Sequence, residues 1–396
     1  MRGCRESPAV TQDLICLSHL RWDFVYQRPN HLMARAARDR RVYFVEEPLV
    51  EAEASPRVDT EFRDGVLVVR PVLPEGMTPE AHLHALQHLI DEVVREQAIS
   101  RPVLWYYTPM ALPWTRHLAR SQVVYDSMDH LAGFHGAPPE LLPLEDELLA
   151  SADLVFCGGA SLHERMRRRH PMTHCLPSSV DEAHFRRARF VVADPADQAE
   201  IPRPRIGYAG VIDERLDLDL IRRVADERPA WQIVLLGPVV KIDPGDVPTG
   251  PNIHALSMKA YSELPAYLGG WSVGWMPFAR NAATRYISPT KTPEYLAAGL
   301  PVVSTSIHDV VHPYGDRGLV RIADSASDTI DAIERMLNGA VPPPHDVDAF
   351  LAGMSWDRTW RAMAQLLDTI DETARPEVGA PRESGHARRQ VPLEVA

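Results

Sequence analysis

The stretch Ser288-Pro-Thr-Lys-Thr-Pro-Glu-Tyr-Leu-Ala-Ala-Gly-Leu-Pro-Val-Val-Ser-Thr305 reads as loop, short helix, turn and buried strand. Thr290 or Thr292 can cap the helix, and Pro293 suits its first turn, where a missing N–H costs nothing. Glu294 falls in that turn, where negative charge is favoured. Gly299 can take the left-handed conformation that ends a helix, and Leu300-Pro-Val-Val303 continues as an inner strand. Such a helix start offers free N–H groups and partial positive charge, with Lys291 just ahead of it, which suits a phosphate. The plainer reading is a capped helix before a strand, with a solvated lysine.

Working outward, the stretch closes a run of alternating strands and helices. Arg205-Ile-Gly-Tyr-Ala-Gly210 is a strand and glycine turn, Leu216 to Arg228 a helix, and Trp231 to Leu236 a strand that ends at Gly237-Pro238. A loop containing Lys241 leads to a strand at Asn252–Leu256, a helix at Tyr261–Leu268 and a strand at Trp271–Pro277. Short apolar strands alternating with helical patterns predict a parallel α/β sheet.

A similar series precedes it. Strands are expected at Asp13–Leu17, Arg41–Val45, Val66–Arg70, Val103–Tyr107, Val123–Tyr125, Ala152–Cys157 and Thr173–Pro177. Helices are expected at His31–Arg38, Pro79–Gln97, Leu144–Ala150 and Ser161–His170. Between the two series, Arg186 to Pro204 carries Pro195, Pro202 and Pro204 without periodicity, as a linker does. The expected division is a first Rossmann-like domain at 1–187, a linker at 188–204, a second Rossmann-like domain at 205–354, and a helix at 355–375 packing back toward the first domain. A disordered tail follows at 376–396.

In the first series, the loop Ser18 to Asn30 lies at the carboxyl end of the first strand, where open α/β sheets bind ligands. His19, Trp22, Asp23, Gln27 and Arg28 are therefore cleft candidates; His19 can equally be a loop hydrogen-bonder. Val123-Val-Tyr125 runs directly into Asp126-Ser-Met-Asp129, two carboxylates at a sheet's functional edge. Either can act as a general base if burial or a neighbour tunes its pKa, and either can simply cap a turn.

Composition narrows the function classes. The 396 residues exceed one core, and 45% hydrophobic with 24% charged residues is the balance of a soluble globular protein. A net charge of −12 argues against a nucleic-acid binder. Four cysteines, Cys4, Cys16, Cys157 and Cys175, form no CxxC pair, which fits a reducing compartment and no zinc site. Cys157 suits a buried strand end better than a catalytic thiol. His84 and His88 share a helix face, which suits solvent better than a metal. No signal-peptide core and no long apolar window occur, so the expected location is cytoplasmic. Arg165, Arg167, Arg168 and Arg169 make a basic helix face that suits either solvent or an anionic inner-membrane surface or lipid-linked acceptor.

Asn252 to Thr305 resembles the donor half of GT-B glycosyltransferases, especially family 4-like enzymes of bacterial surface polysaccharide synthesis. The matching pieces are Asn252-Ile-His, Tyr261-Ser-Glu-Leu-Pro265, Met276-Pro-Phe278 and Glu294-Tyr-Leu-Ala-Ala-Gly-Leu-Pro-Val-Val303. Arg205 to Gly210 is similar to the first strand and glycine turn of that half. Trp22 to His31 and Val124 to Asp129 resemble acceptor-domain segments of a bacterial subset, so the resemblance spans residues 12 to 373.

The resemblance implies an α/β chain of GT-B fold, two Rossmann-like domains facing each other across a cleft. It implies a metal-independent glycosyltransferase without a cofactor, moving a sugar from a nucleotide-diphosphate sugar to a hydroxyl on a glycan or lipid-linked acceptor. Glu294 matches the residue that binds the nucleotide ribose. Lys291, with Gly210, Arg215, Lys241 and Asn281, makes up the donor set. The expulsion of a nucleoside diphosphate builds negative charge that cations and N–H donors must meet. On the acceptor side, Asp129 or Asp126 is the expected base with His19 nearby, and Trp22, Gln27 and Arg28 the expected contacts. Two positions depart from the pattern: Tyr286 stands where the first glutamate of the paired motif falls, and Val211 where an arginine follows the glycine turn. Two other readings stay open, a nucleotide-sugar 2-epimerase of the same fold and a non-catalytic nucleotide-sugar-binding protein.

Overall fold

A computed structural model describes residues 12–52, 55–191 and 193–374. Cys4 and the tail expected at 376–396 lie outside the described residues.

The apolar runs of the first series become one sheet with nine strands among the described residues. They are β1 (Leu14–Ser18), β2 (Val42–Glu46), β3 (Leu49–Glu51), β4 (Arg57–Arg63), β5 (Val66–Pro74), β6 (Val103–Tyr106), β7 (Gln122–Ser127), β8 (Leu154–Cys157) and β9 (Thr173–Cys175). Their order is β3-β5-β2-β1-β6-β7-β8-β9, with β4 antiparallel on β5 and every other pair parallel. The hairpin β4–β5 was not legible, because β4 alternates charged residues over a mostly exposed surface and has no apolar run.

The second sheet contains β10 (Arg205–Ala209), β11 (Gln232–Leu236), β12 (Ile253–Leu256), β13 (Val273–Met276), β14 (Val302–Ser304) and β15 (Val320–Ile322). It is parallel throughout, in the order β12-β11-β10-β13-β14-β15. Each sheet reverses strand order once, beside β1 and β6 in the first and beside β10 and β13 in the second. Crevices open at such switch points, and the loops after those strands build the site described below.

Residues of the expected linker are ordered against the second domain. Ala188 and Ile201 belong to that domain's core, as does Phe185 just before the linker, and the Gln198 side chain is buried, its Nε2 donating to Tyr267 O and its Oε1 accepting from Trp271 Nε1. Three prolines gave the stretch the look of a tether, but Ala188 and Ile201 pack into the core while Phe190 stays exposed. The terminal helix Trp356–Ala374 returns to the first domain, burying Trp356, Trp360, Met363 and Leu367 with Phe44, Trp105 and Phe156. A helix that joins the last domain to the first sheet fixes the two sheets relative to each other.

The two domains also meet along an aromatic seam. Trp356 stacks on His31 at 4.5 Å, Tyr26 lies 4.8 Å from Tyr261, and Tyr261 stacks on His184 at 4.3 Å. Beyond it, Asp309 of the second domain accepts from the Ser161 amide at 2.9 Å. Gly159 is required here: a Cβ would sit 2.1 Å from Asp309 Oδ2.

Candidate active site

Two connected chambers lie between the domains. The larger, about 380 Å³, has Trp22, Val25 and Tyr26 on one wall and Gly210, Gly237, Pro238, Met258, Tyr261 and Lys291 on the other. The smaller, about 110 Å³, is lined by Gln27, Arg28 and Asp129 from the first domain and by Tyr208, Val211, Arg215, Ser288 and Thr290 from the second. Val25, Gly210 and Lys291 line both.

The floor on the second-domain side is bare backbone. Gly237 sits at φ +147, and a Cβ there would lie 2.0 Å from Gly210 O, so the turn after β11 can pass that of β10 only as glycine. Lys291 opens the helix Lys291–Ala297, and its Nζ donates to Glu294 Oε2 at 2.9 Å. The cap expected from Thr290 is not made: its backbone is already helical and its side chain takes no amide. The Thr292 amide donates to Pro289 O and the Glu294 amide to Thr290 O, while Thr292 turns inward toward Met276. The helix start therefore offers little free N–H, and the positive charge at the seam is the Lys291 side chain. Gly299 takes φ +83 and ends the helix as its type predicts.

Arg215 is the second cation of the small chamber. The Asp213 carboxylate accepts from its Nε at 2.9 Å and its Nη2 at 2.8 Å, and no protein partner takes Nη1 among the described residues. Burial alone would lower the guanidinium's pKa, but the Asp213 hydrogen bond and charge raise it, so Arg215 stays charged. Lys241 sits in the left-handed region at φ +62, uncommon for a side-chain-bearing residue, and is exposed. It lines neither chamber. Asn281 does not reach the cleft either; its Nδ2 donates to Glu214 O at 2.8 Å and its Oδ1 accepts from the Thr284 amide, organising its own turn. Val211 lines the small chamber where an arginine was expected, and Arg215 brings the cation there from four residues on.

The two carboxylates separate by environment. Asp126 is fully buried in a forked pair with Arg28, whose Nε and Nη2 donate to Oδ1 at 3.1 and 2.9 Å. Arg28 Nη1 donates to Leu176 O at 2.7 Å, so this guanidinium ties β7 to the chain after β9 and has little left for a ligand. Asp129 is half-buried and lines the small chamber. Burial, offset by Arg215 and reinforced by Asp213, pushes its pKa up to about 6. That is a base poised near neutrality, facing open space.

The remaining first-domain candidates divide the same way. Trp22 is buried edge-on against Phe44, and its amide donates to Glu46 Oε1, while its edge lines the large chamber. Gln27 borders the small one, its amide bonded to Asn30 Oδ1. His19 lines neither chamber; burial and then Lys241 bring its pKa down to about 4, and its buried Nδ1 has no partner among the described residues. Cys157 is inside the core, where burial pushes the thiol up and out of reach of nucleophilic use. The basic helix face is largely paired: Arg165 and Arg169 both reach the buried Glu145, and Arg167 reaches Glu164.

One contributor has no strong sequence signal. Phe134, just past Asp129, lies under two second-domain cations, with Lys241 Nζ 4.5 Å and Arg215 Cζ 5.6 Å from its ring centre. The available hint is an aromatic between Gly133 and Gly136. Tyr286 stands edge-on to His130 at 5.4 Å and packs against the first domain's core. It is a domain contact, not a chamber wall.

No family model matches the chain. A putative teichuronic acid biosynthesis glycosyltransferase, TuaH of Bacillus subtilis (strain 168), is 26% identical over 247 residues, covering 57% of this chain and 60% of that protein. The chain thus spans less than two thirds of this relative's length. Among solved structures, sucrose-phosphate synthase from Thermosynechococcus elongatus superposes with a TM-score of 0.69 at 16% identity, over 92% of this chain and 100% of that one. Anabaena HepE in complex with UDP and glucose gives 0.66 at 13% identity, over 91% and 100%. An α,α-trehalose-phosphate synthase from Burkholderia xenovorans with glucose-6-phosphate also gives 0.66 at 13%, over 90% and 100%. At these identities the likeness is one of fold.

Proposed function

We propose that this chain, which has the GT-B fold, is a glycosyltransferase that moves a sugar from a nucleotide-diphosphate sugar to an acceptor hydroxyl. The observation that carries the reading is the small chamber, where one tuned carboxylate, Asp129, shares a wall with two cations, Arg215 and Lys291. The large chamber beside it, walled by Tyr26, Met258 and Tyr261, suits a nucleoside. Its seam with the small one, at Lys291, suits the diphosphate, with Glu294 beside Lys291 for the ribose.

The chemistry follows from those positions. The bond between the anomeric carbon and the diphosphate oxygen breaks, and its electron pair stays with the nucleoside diphosphate. Lys291 and Arg215 meet that charge in a cleft partly enclosed by the two domains, where each cation counts for more than in bulk water. The acceptor oxygen bonds to the anomeric carbon, and Asp129 takes its proton. Asp126, tied to Arg28, holds the strand end from which Asp129 projects. The likeness to a putative teichuronic acid biosynthesis glycosyltransferase supports an acceptor in surface polysaccharide or glycolipid synthesis, glycan or lipid-linked. No helix among the described residues is long and apolar enough to cross a membrane. A nucleotide-sugar donor fits a cytoplasmic enzyme, with peripheral contact at the inner membrane face wherever the acceptor is lipid-linked.

A thermal-shift panel of UDP-, GDP-, dTDP- and ADP-sugars tests the donor site, because a bound donor raises Tm by mass action. The active donor is then incubated with and without acceptor glycans. Transfer that requires acceptor is the expected result. Conversion of the donor to its 2-epimer without acceptor would overturn the reading.

A further inference from the structure

Residues 130–137 of the first domain lie across the cleft on the second. His130 meets Tyr286, the His135 amide donates to Glu214 Oε1 at 3.2 Å, and Gly133 closes on the Ala282 carbonyl. A Cβ at Gly133 would stand 2.7 Å from that oxygen, so the approach needs glycine. At the centre, Phe134 presents its ring to Arg215 and Lys241 together.

The two cations differ in how they are held. Arg215 is anchored by Asp213, whereas no carboxylate partners Lys241 among the described residues, and the ring face is its contact. Arg215 lines the small chamber and Phe134 does not, so the ring supports the cations from outside the chamber. An aromatic face attracts cations through its quadrupole and does so without placing a competing anion beside the diphosphate. A carboxylate in that position would instead neutralise the charge that the leaving group needs.

We infer that Phe134 is a positioning residue for the diphosphate-binding cations, carried on a strap that the first domain lays over the second. The strap follows directly after Asp129, so seating the cations and aiming the base are one event. This rests on the proposed glycosyltransferase reading, and in it Arg215 is the cation at the diphosphate while Lys241, outside both chambers, adds its charge from behind the ring.

Isothermal titration with ADP, GDP, UDP and dTDP tests it on the full chain and on Phe134→Leu, Phe134→Tyr and Gly133→Ala. Leucine keeps bulk and removes the ring face; tyrosine keeps the face. Phe134→Leu and Gly133→Ala are expected to weaken the bound nucleotide about three- to tenfold, with Phe134→Tyr near wild type, the range of one partly exposed cation–aromatic contact. Lys241→Ala should weaken binding in the wild type and add little in Phe134→Leu. If Phe134→Leu binds as tightly as wild type, or if leucine and tyrosine are equally impaired, the inference fails while the donor site stands. If the wild type binds none of the four nucleotides, the donor site itself is wrong and the inference goes with it.

Discussion

Arg28 and Asp126 form a forked ion pair, 2.9 Å at its shortest, with neither side chain exposed. Breaking one side of such a pair leaves an uncompensated buried charge, at a cost of about 3–5 kcal/mol. Asp126→Ala and Arg28→Met are each expected to lower the chemical-denaturation midpoint accordingly. Asp129→Asn should keep its fold and lose turnover. Equal stability of Asp126→Ala and wild type would show that this pair does not hold the strand end.

Asp129 carries the pH dependence of turnover. Burial raises its carboxyl from 3.8 to about 6, so it becomes a base only as pH climbs past about 6. The plot of kcat/KM against pH should rise through that value and level off, and the Asp129→Asn residue of activity should be flat. The stability consequence has a definite sign. A raised carboxyl pKa means the fold prefers the protonated form, so stability is lost as pH rises from 3.8 to 6. Asp129→Asn should be stabilised at pH 7 by about 3 kcal/mol and gain nothing below pH 4. An acid limb unchanged in the variant would remove Asp129 from the base role.

Two histidines set acid sensitivity. Burial, then Lys241, lowers His19 to about 4; burial, then Arg35 and Lys291, lowers His31 strongly as well. Below the ordinary value of 6.5 the unfolded chain binds protons that the fold refuses, so stability falls as pH drops and, for His19, the loss is complete below about 4. His31 stacks on Trp356, and His31→Phe keeps a ring there without the titration. Tm of His31→Phe should fall less steeply than wild type between pH 6.5 and 4.5. An identical slope would mean that His31 does not titrate with unfolding.

Tyr286 answers the departure from the paired-glutamate pattern. Its ring packs against the first domain beside His130. Tyr286→Glu should cost about 1–3 kcal/mol by forcing a carboxylate into that contact, with no gain in turnover. Higher turnover in Tyr286→Glu would show that a carboxylate at this position can serve catalysis.

Much of the architecture was legible because buried parallel strands are apolar and evenly spaced, and glycines punctuate them at Gly210, Gly237 and Gly299. Lys291 was singled out by its place at a helix start, and Asp129, together with Asp126, by its place after a strand. Arg28 was expected at the acceptor; it does line the small chamber, but its buried pairing with Asp126 was not legible, because that partner lies almost a hundred residues away and nothing local announces the pair. Asn281 was grouped with the donor site by chain position, but it organises its own turn, and Lys241 stands outside the chambers behind the Phe134 ring. Phe134 and the Tyr26–Tyr261 seam were missed for the same reason: contacts between domains leave no periodicity in either segment.

Calorimetric titration of wild type and Lys291→Ala with ADP, GDP, UDP and dTDP tests the donor site most directly. Lys291 lines both chambers at their seam, so one nucleotide should bind the wild type and bind the variant about tenfold more weakly, as loss of a charge-assisted phosphate contact requires. Equal affinity in the two proteins, or no binding to either, would contradict a donor diphosphate at that seam.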